Sequence, residues 1–256
     1  MKATLTVLGS GTSMGVPTIG CDCGVCTSAD PRDHRTRPSV LVQYEGRNVL
    51  IDTTPDFRQQ AIRERIHHLD AVLYTHAHAD HILGLDDLRP VTFRHASRVP
   101  LYAGEQTAQT LRTMFQYIFD GTYKFGNLAR VDLHPINDGV ELFGARFDAV
   151  KVIHGDTEID GFRFGSAAYL TDFSAIPERS LARLEGLDIL FLDALRHKPH
   201  PAHSSVEQSL KIVERLQPKR TFFTHISHDL AHEATNASLP ANVQLAHDGL
   251  KLEFEI

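Results

Sequence analysis

Four metal-binding side chains occupy six consecutive positions, His76-Ala77-His78-Ala79-Asp80-His81, directly after the apolar segment Ala71-Val72-Leu73-Tyr74-Thr75. A short apolar run that breaks into polar residues reads as a buried strand leaving a sheet. His76 and His78 are two apart, so on an extended strand exit they project to the same side. Asp80 and His81 fall on the turn beyond and need not face the same ion. One short segment can therefore supply ligands to two neighbouring metals. The spacing differs from that of a metalloprotease helix, which places its histidines at i and i+4.

The rest of the chain has to build a rigid support for that strand end. Its 256 residues are 42% hydrophobic and 23% charged, with a formal charge of -6, which fits a folded globular protein rather than a disordered tail. The mixed-sign charge argues against a whole-surface nucleic-acid binder. No apolar run approaches the roughly 20 residues of a membrane span. The N-terminal MKATLTVLGSGT reads as a strand entering a glycine loop, without a long apolar leader, and the expected location is cytoplasmic. Histidine is abundant, at 16 residues, whereas the three cysteines all fall at Cys21, Cys23 and Cys26. Three clustered thiols make a poor disulfide framework and a good metal loop.

No linker or low-complexity tract divides the sequence, so one domain over 1–256 is expected, with a metal loop at 20–27. Strand patterns recur at 3–8, 39–44, 48–51, 71–75, 146–152, 165–170, 188–192, 220–224 and 251–255. Helical patterns lie between them. The spacing predicts a helix over 55–66 with Thr54 as N-cap and Pro55 at its first position. Another is predicted over 104–119, and a third over 204–216 with a capping box of Ser204 and Glu207. Interleaved strands and helices indicate an α/β protein. Several strands end on a residue able to bind metal: Asp52, His76, Asp172, Asp193 and His225. In layered α/β folds, ligands gather at such strand ends.

The His-x-His-x-Asp-His run after a strand resembles the signature of the metallo-β-lactamase superfamily. The resemblance implies a four-layer αββα sandwich with a two-metal site along one edge of its sheets. It also implies a later His, Asp and His at strand ends, for which His154, Asp172 and His225 are the candidates. On the family pattern, His76, His78 and His154 hold one metal, Asp80, His81 and His225 hold the other, and Asp172 bridges them. Two divalent cations, two aspartates and a bridging hydroxide sum to +1, which favours an anionic substrate. Histidine and carboxylate donors suit Zn(II) or Mn(II) alike.

The cysteine loop offers three ligands to one zinc, and a closed tetrahedral site needs a fourth. His34 is nearest in sequence, and His228 lies three residues after His225. With the opening GSGTSMGVP, the Cys-x-Cys-x-x-Cys loop, LIDTTPDFRQQ, the late THISH and the closing HDG, nearly the whole chain resembles the PhnP-type phosphodiesterases. That resemblance implies His228 as the fourth zinc ligand and a homodimer. It also implies His203, in a loop shared with His197 and His200, as the acid that protonates the leaving oxygen. Asp52 is expected to orient a ligating histidine, and Asp80, His203 and Asp52 are read as the residues closest to catalysis. Arg35 and Arg37, with neighbouring Arg32, are candidates for binding a substrate phosphate. The expected activity is hydrolysis of a small cyclic phosphodiester, with neither a membrane nor a large nucleic acid as partner. The alternatives are a tRNA-processing endonuclease, a thioester or lactone hydrolase, and a non-catalytic zinc-binding assembly protein.

Overall fold

The structure is a computed structural model that describes residues 1–93 and 98–256. The chain opens with β1 (Lys2–Gly9) and, after a long loop, the hairpin of β2 (Ser39–Tyr44) and β3 (Arg47–Ile51). Helix α1 (Phe57–Arg63) leads to β4 (Ala71–Tyr74), the short α2 (Ala79–Ile82) and α3 (Arg89–Thr92), and β5 (Val99–Ala103). Helices α4 (Glu105–Met114) and α5 (Gln116–Phe119) precede β6 (Val131–Pro135). Four strands follow: β7 (Gly139–Leu142), β8 (Ala145–His154), β9 (Thr157–Phe164) and β10 (Ala167–Leu170). The chain then alternates through α6 (Glu178–Leu181), β11 (Ile189–Asp193), α7 (Val206–Leu216), β12 (Arg220–Thr224) and α8 (His232–Asn236). Strands β13 (Val243–Leu245) and β14 (Lys251–Glu255) complete it.

The strands form two seven-stranded sheets, ordered β14-β1-β2-β3-β4-β5-β6 and β13-β12-β11-β10-β9-β8-β7. Each sheet is antiparallel at one side and parallel at the other, with β3 through β6 and β10 through β13 as the parallel runs. Parallel strands here are covered on both faces, which explains why Ala71–Tyr74 and Ile189–Asp193 are buried at every position.

Three apolar cores separate four layers. Between the sheets, Leu5, Val42 and Leu73 meet Phe147, Phe162 and Phe191. On the outer face of the first sheet, Val72, Tyr74 and Leu101 pack under Phe57, Ile82 and Leu111. On the outer face of the second, Leu190, Leu192 and Phe223 pack under Leu184, Val206 and Val213. The two-residue period of a strand does this sorting: Leu73 faces the other sheet, while Val72 and Tyr74 face the helices. The αββα sandwich is thus the observed architecture. Among the described residues, no helix is long and apolar enough to cross a membrane.

Several local expectations are corrected. The first helix begins at Phe57, after Asp56, and the Thr54 hydroxyl accepts from the Asp56 N–H rather than capping the helix. The helix expected over 104–119 is two helices, broken at Phe115, where the backbone leaves the helical region (φ −112°, ψ 36°). The capping box of α7 sits one residue later than expected. Ser205 Oγ accepts from the Gln208 N–H, and Gln208 Oε1 accepts from the Ser205 N–H. Ser204 instead is buried, its hydroxyl accepting from that of Ser209.

Candidate metal centre

Strands β3, β4, β10, β11 and β12 all reach the same edge of the sandwich. The residues just past β3, β10 and β12 are Asp52, Asp172 and His225, and each has a left-handed backbone (φ 65°, 55° and 57°). Non-glycine residues rarely adopt this conformation, with Asp and His among the more tolerant types. Three such residues at one strand edge mark a place where backbone strain is held for side-chain placement.

The seven expected ligand residues converge there in two groups. In the first, His154 Nε2 lies 3.2 Å from His78 Nδ1, and the His76 and His78 rings meet edge to face at 4.6 Å. His154 Nδ1 donates to the Ala202 carbonyl at 2.8 Å, which leaves Nε2 with its lone pair facing the group. Burial first, then the neighbouring His81, His78 and His154, push the His76 pKa well down, so this pocket disfavours protons. Neutral imidazoles are the form that binds metal.

The second group is rich in acid. Its ligand atoms, on Asp80, His81, Asp172 and His225, all lie within 4.8 Å of one another. His81 Nε2 is 3.3 Å from both Asp80 Oδ2 and Asp172 Oδ1, and His225 Nε2 is 3.1 Å from Asp172 Oδ2. Donors about 3.3 Å apart are what a tetrahedral ion with bonds of about 2.0–2.1 Å requires. Burial opposes charge on His225, but Asp172, Asp80 and Asp193 outweigh it and raise its pKa to about 9. His81 is raised in the same way, against burial, by Asp172, Asp80 and Asp52. The group thus attracts positive charge. Asp172 Oδ2 also lies 4.0 Å from His76 Nε2, so this carboxylate stands between the two groups.

The donor set fits divalent metal. His76 Nε2, Asp80 Oδ2, His81 Nε2 and His225 Nε2 are all buried without a hydrogen-bond partner. Orphaned buried polar atoms are costly, and four of them aimed at one space call for an ion there. Their supports are in place. His81 Nδ1 donates to Asp52 Oδ2 at 2.7 Å, and Asp52 is held in turn by the Thr75 N–H and hydroxyl, each at 2.8 Å. Thr75 and the Ala202 carbonyl carried no distinguishing signal in the sequence, because one is a strand residue and the other a backbone group.

His203 stands at the mouth of the centre, its ring stacked on that of His225 at 4.5 Å and 4.8 Å from that of His154. Its Nδ1 donates to Asp193 Oδ2 at 2.8 Å, which turns Nε2 away from the acid. The ring of His200 lies 5.0 Å from His203, whereas His197 pairs with Glu207 at the surface. Beside the first group, a cleft of about 480 Å³ runs between α4 and the β8–β9 hairpin. It is lined by Gln106, Thr107, Lys151 and Asp160. Lys151, paired with Asp160 at 2.6 Å, is a cleft residue that the sequence did not single out, since a lone Lys on a strand carries no motif.

The cysteine loop closes on His228. Its Nδ1 lies 3.2, 3.5 and 3.4 Å from the sulfurs of Cys21, Cys23 and Cys26. A tetrahedral zinc with the usual S and N bond lengths separates those atoms by about 3.5 Å. Backbone N–H groups of Thr18 and Cys26 donate to Cys26 Sγ and Cys23 Sγ. The N–H of Cys26, foremost among several hydrogen bonds, lowers the Cys23 thiol to about 6. His34 turns instead to the Ser28 carbonyl.

The two arginines read as phosphate-binding are engaged elsewhere. Arg35 is buried and donates to the carbonyls of Ser227 and Leu230 and to Asp33. It is a strut for the segment that carries His225 and His228. Arg37 pairs with Asp56 through both carboxylate oxygens and donates to the Ser13 carbonyl, while Arg32 pairs with Asp30 and Glu233.

The family described as "Beta-lactamase superfamily domain" matches residues 47–226, which span β3 through His225. The chain belongs to the beta-lactamase superfamily. Within this superfamily it has the metallo-β-lactamase fold and resembles the PhnP family. A solved structure described as a new diphosphatase from the PhnP family superposes with a TM-score of 0.94 at 64% identity, covering 99% of this chain and 98% of that one. Coenzyme PQQ synthesis protein B of Methylorubrum extorquens is 35% identical over 98% of this chain and 99% of its own length. An octanoyltransferase of Porphyromonas gingivalis is 35% identical over 96% of this chain, which spans only 50% of that protein.

Proposed function

We propose that this superfamily member hydrolyses a P–O bond in a small anionic phosphate compound whose phosphorus carries two substituted oxygens. A cyclic phosphodiester of the phosphoribosyl or 2',3'-cyclic nucleotide type is the first such substrate. The observation that carries the reading is the meeting of two unlike halves on Asp172: three clustered imidazoles, two of which, His76 and His154, burial holds below the usual histidine range, and an acid-rich group that draws positive charge. His76, His78 and His154 would hold one divalent metal and Asp80, His81 and His225 the other, with the Asp172 carboxylate standing between the two groups. Bound there, Zn(II) or Mn(II) would supply a nucleophile from water near neutral pH and take up charge on the phosphoryl oxygens.

The chain's own groups do the rest. Asp52 keeps His81 in the tautomer that presents Nε2. Asp193 accepts from His203 Nδ1–H and orients its ring, and in the doubly protonated ring the Nε2–H delivers its proton to the departing oxygen. The cleft beside His154 receives the part of the substrate that does not react. A diphosphate linkage is the second reading, favoured by the neighbour at 64% identity that is described as a diphosphatase. Both substrates present an anionic phosphoryl group whose phosphorus carries two linking oxygens.

The test assays a 2',3'-cyclic nucleotide, a phosphoribosyl cyclic phosphate, a dinucleoside diphosphate, a thioester and a β-lactam side by side. Turnover of a phosphate substrate that Asp172→Ala abolishes supports the reading. Turnover of the thioester or lactam alone would overturn it.

A further inference from the structure

The cleft beside the candidate metal centre has a charge of its own. Four residues of fixed charge line it: Lys151, Glu158 and Asp160 on the β8–β9 hairpin, and Glu105 at the first position of α4. Lys151 and Asp160 stand directly opposite each other across the two strands and pair at 2.6 Å. The Asp160 carboxylate is buried, so drawing Lys151 away from it would strand a charge inside the protein. Glu158 is held by Arg179, which is not among the cleft residues. Glu105 has no ion pair among the described residues. A Cβ on Gly104 would come within 2.9 Å of Asp160 Oδ2, so the bare backbone there lets the start of α4 close on the hairpin. That approach brings Glu105 into one cleft with the Lys151–Asp160 pair.

One charge in the cleft is therefore left over, and it is negative. The other polar groups there, on Gln106, Thr107, Thr110 and Thr157, are uncharged amide and hydroxyls. A phosphate or carboxylate on the unreacting part of a substrate would be repelled by Glu105, and its only cationic neighbour in the cleft is already committed to a buried acid. We infer that the cleft admits the unreacting part of the substrate when that part is uncharged and hydroxyl-bearing, or cationic, and selects against a further anionic group, with Glu105 setting the preference. This rests on the phosphate reading above and narrows it to substrates whose negative charge is confined to the reacting linkage.

The test uses the metal-loaded protein and three 4-nitrophenyl phosphodiesters that share the reacting group and the leaving group. Their second ester is choline, 2-hydroxyethyl or 2-carboxyethyl, which carries a positive charge, none or a negative charge. The choline and hydroxyethyl esters should exceed the carboxyethyl ester in kcat/KM by about tenfold. In Glu105→Gln, an exposed position, the gap should close to about twofold. Calorimetric binding of phosphocholine, 2-hydroxyethyl phosphate and 2-carboxyethyl phosphate should give the same ranking without turnover. A carboxyethyl ester handled as well as the others would overturn the inference. So would a ranking that Glu105→Gln leaves intact, which would assign Glu105 to the N-terminal end of α4 alone. If none of the diesters is hydrolysed, the diester reading fails and the binding ranking decides the inference by itself: a preference against 2-carboxyethyl phosphate that Glu105→Gln removes supports it, and equal binding overturns it.

Discussion

Asp52 shows how much of the centre depends on a side chain that touches no ion. Its carboxylate is fully buried, and its two oxygens take three hydrogen bonds, from His81 and twice from Thr75. Asp52→Asn keeps the shape but loses the charge that fixes the His81 tautomer. Metal affinity at the acid-rich group should fall by about 10–100-fold, as for other partners of ligating histidines, and chelator competition measures it. Binding as tight as wild type would remove Asp52 from the centre.

A second residue sets a pH dependence away from the candidate metal centre. His232 is held down to about 4 by burial first, then by Arg32, His247 and Arg35. The unfolded chain takes up that proton below about 6.5, and the folded chain resists it until about 4. The stability contribution is therefore complete above 6.5 and is lost as pH falls toward 4. Thermal melts between those limits should fall more steeply for wild type than for His232→Gln. Parallel slopes would contradict the assignment.

The residues that converge at the strand edge are legible in the sequence because His76, Asp172 and His225 each follow an apolar strand. Arg35 was misread for the opposite reason. A basic residue beside a metal loop looks the same whether its guanidinium faces solvent or is folded over two carbonyls. Nor did the sequence show the left-handed backbone at Asp52, Asp172 and His225, which follows from the layers around them and not from local preference.

At the scale of elements, continuous apolar runs such as ILFLD were read as strands because burial on both faces leaves no polar alternation. Strands β5, β6, β7, β9 and β13 carry no such signal. They are short or at sheet margins, or, like β9, carry glycine and acidic residues in mid-strand. Helix boundaries slipped by a residue or more, as at α7, where Ser204 and Ser205 are both plausible caps and only geometry separates them. Ser205→Ala should cost about 1 kcal/mol, the usual worth of an N-cap, in denaturant unfolding. Glu207→Ala should change it little, since its partner His197 is exposed. A larger loss at Glu207 would restore the original capping frame.

Across the whole molecule, two sheets press together and direct their strand ends to one edge, so residues as distant as His76 and His225 share a site. The loop carrying Cys21, Cys23 and Cys26 reaches the same edge through His228, three residues from His225. One segment thereby joins the closed sulfur site to the open centre, and Arg35 ties that segment to Asp33. On the proposed function these residues hold a metal pair and, separately, a zinc, and a crystal of the purified protein measured on both sides of the zinc and manganese absorption edges decides it. Three anomalous peaks per chain are predicted: one within the Cys21, Cys23, Cys26 and His228 cluster, and two about 3.5–4 Å apart on either side of Asp172. A single peak at the strand edge, or none between His154 and His225, would contradict the account.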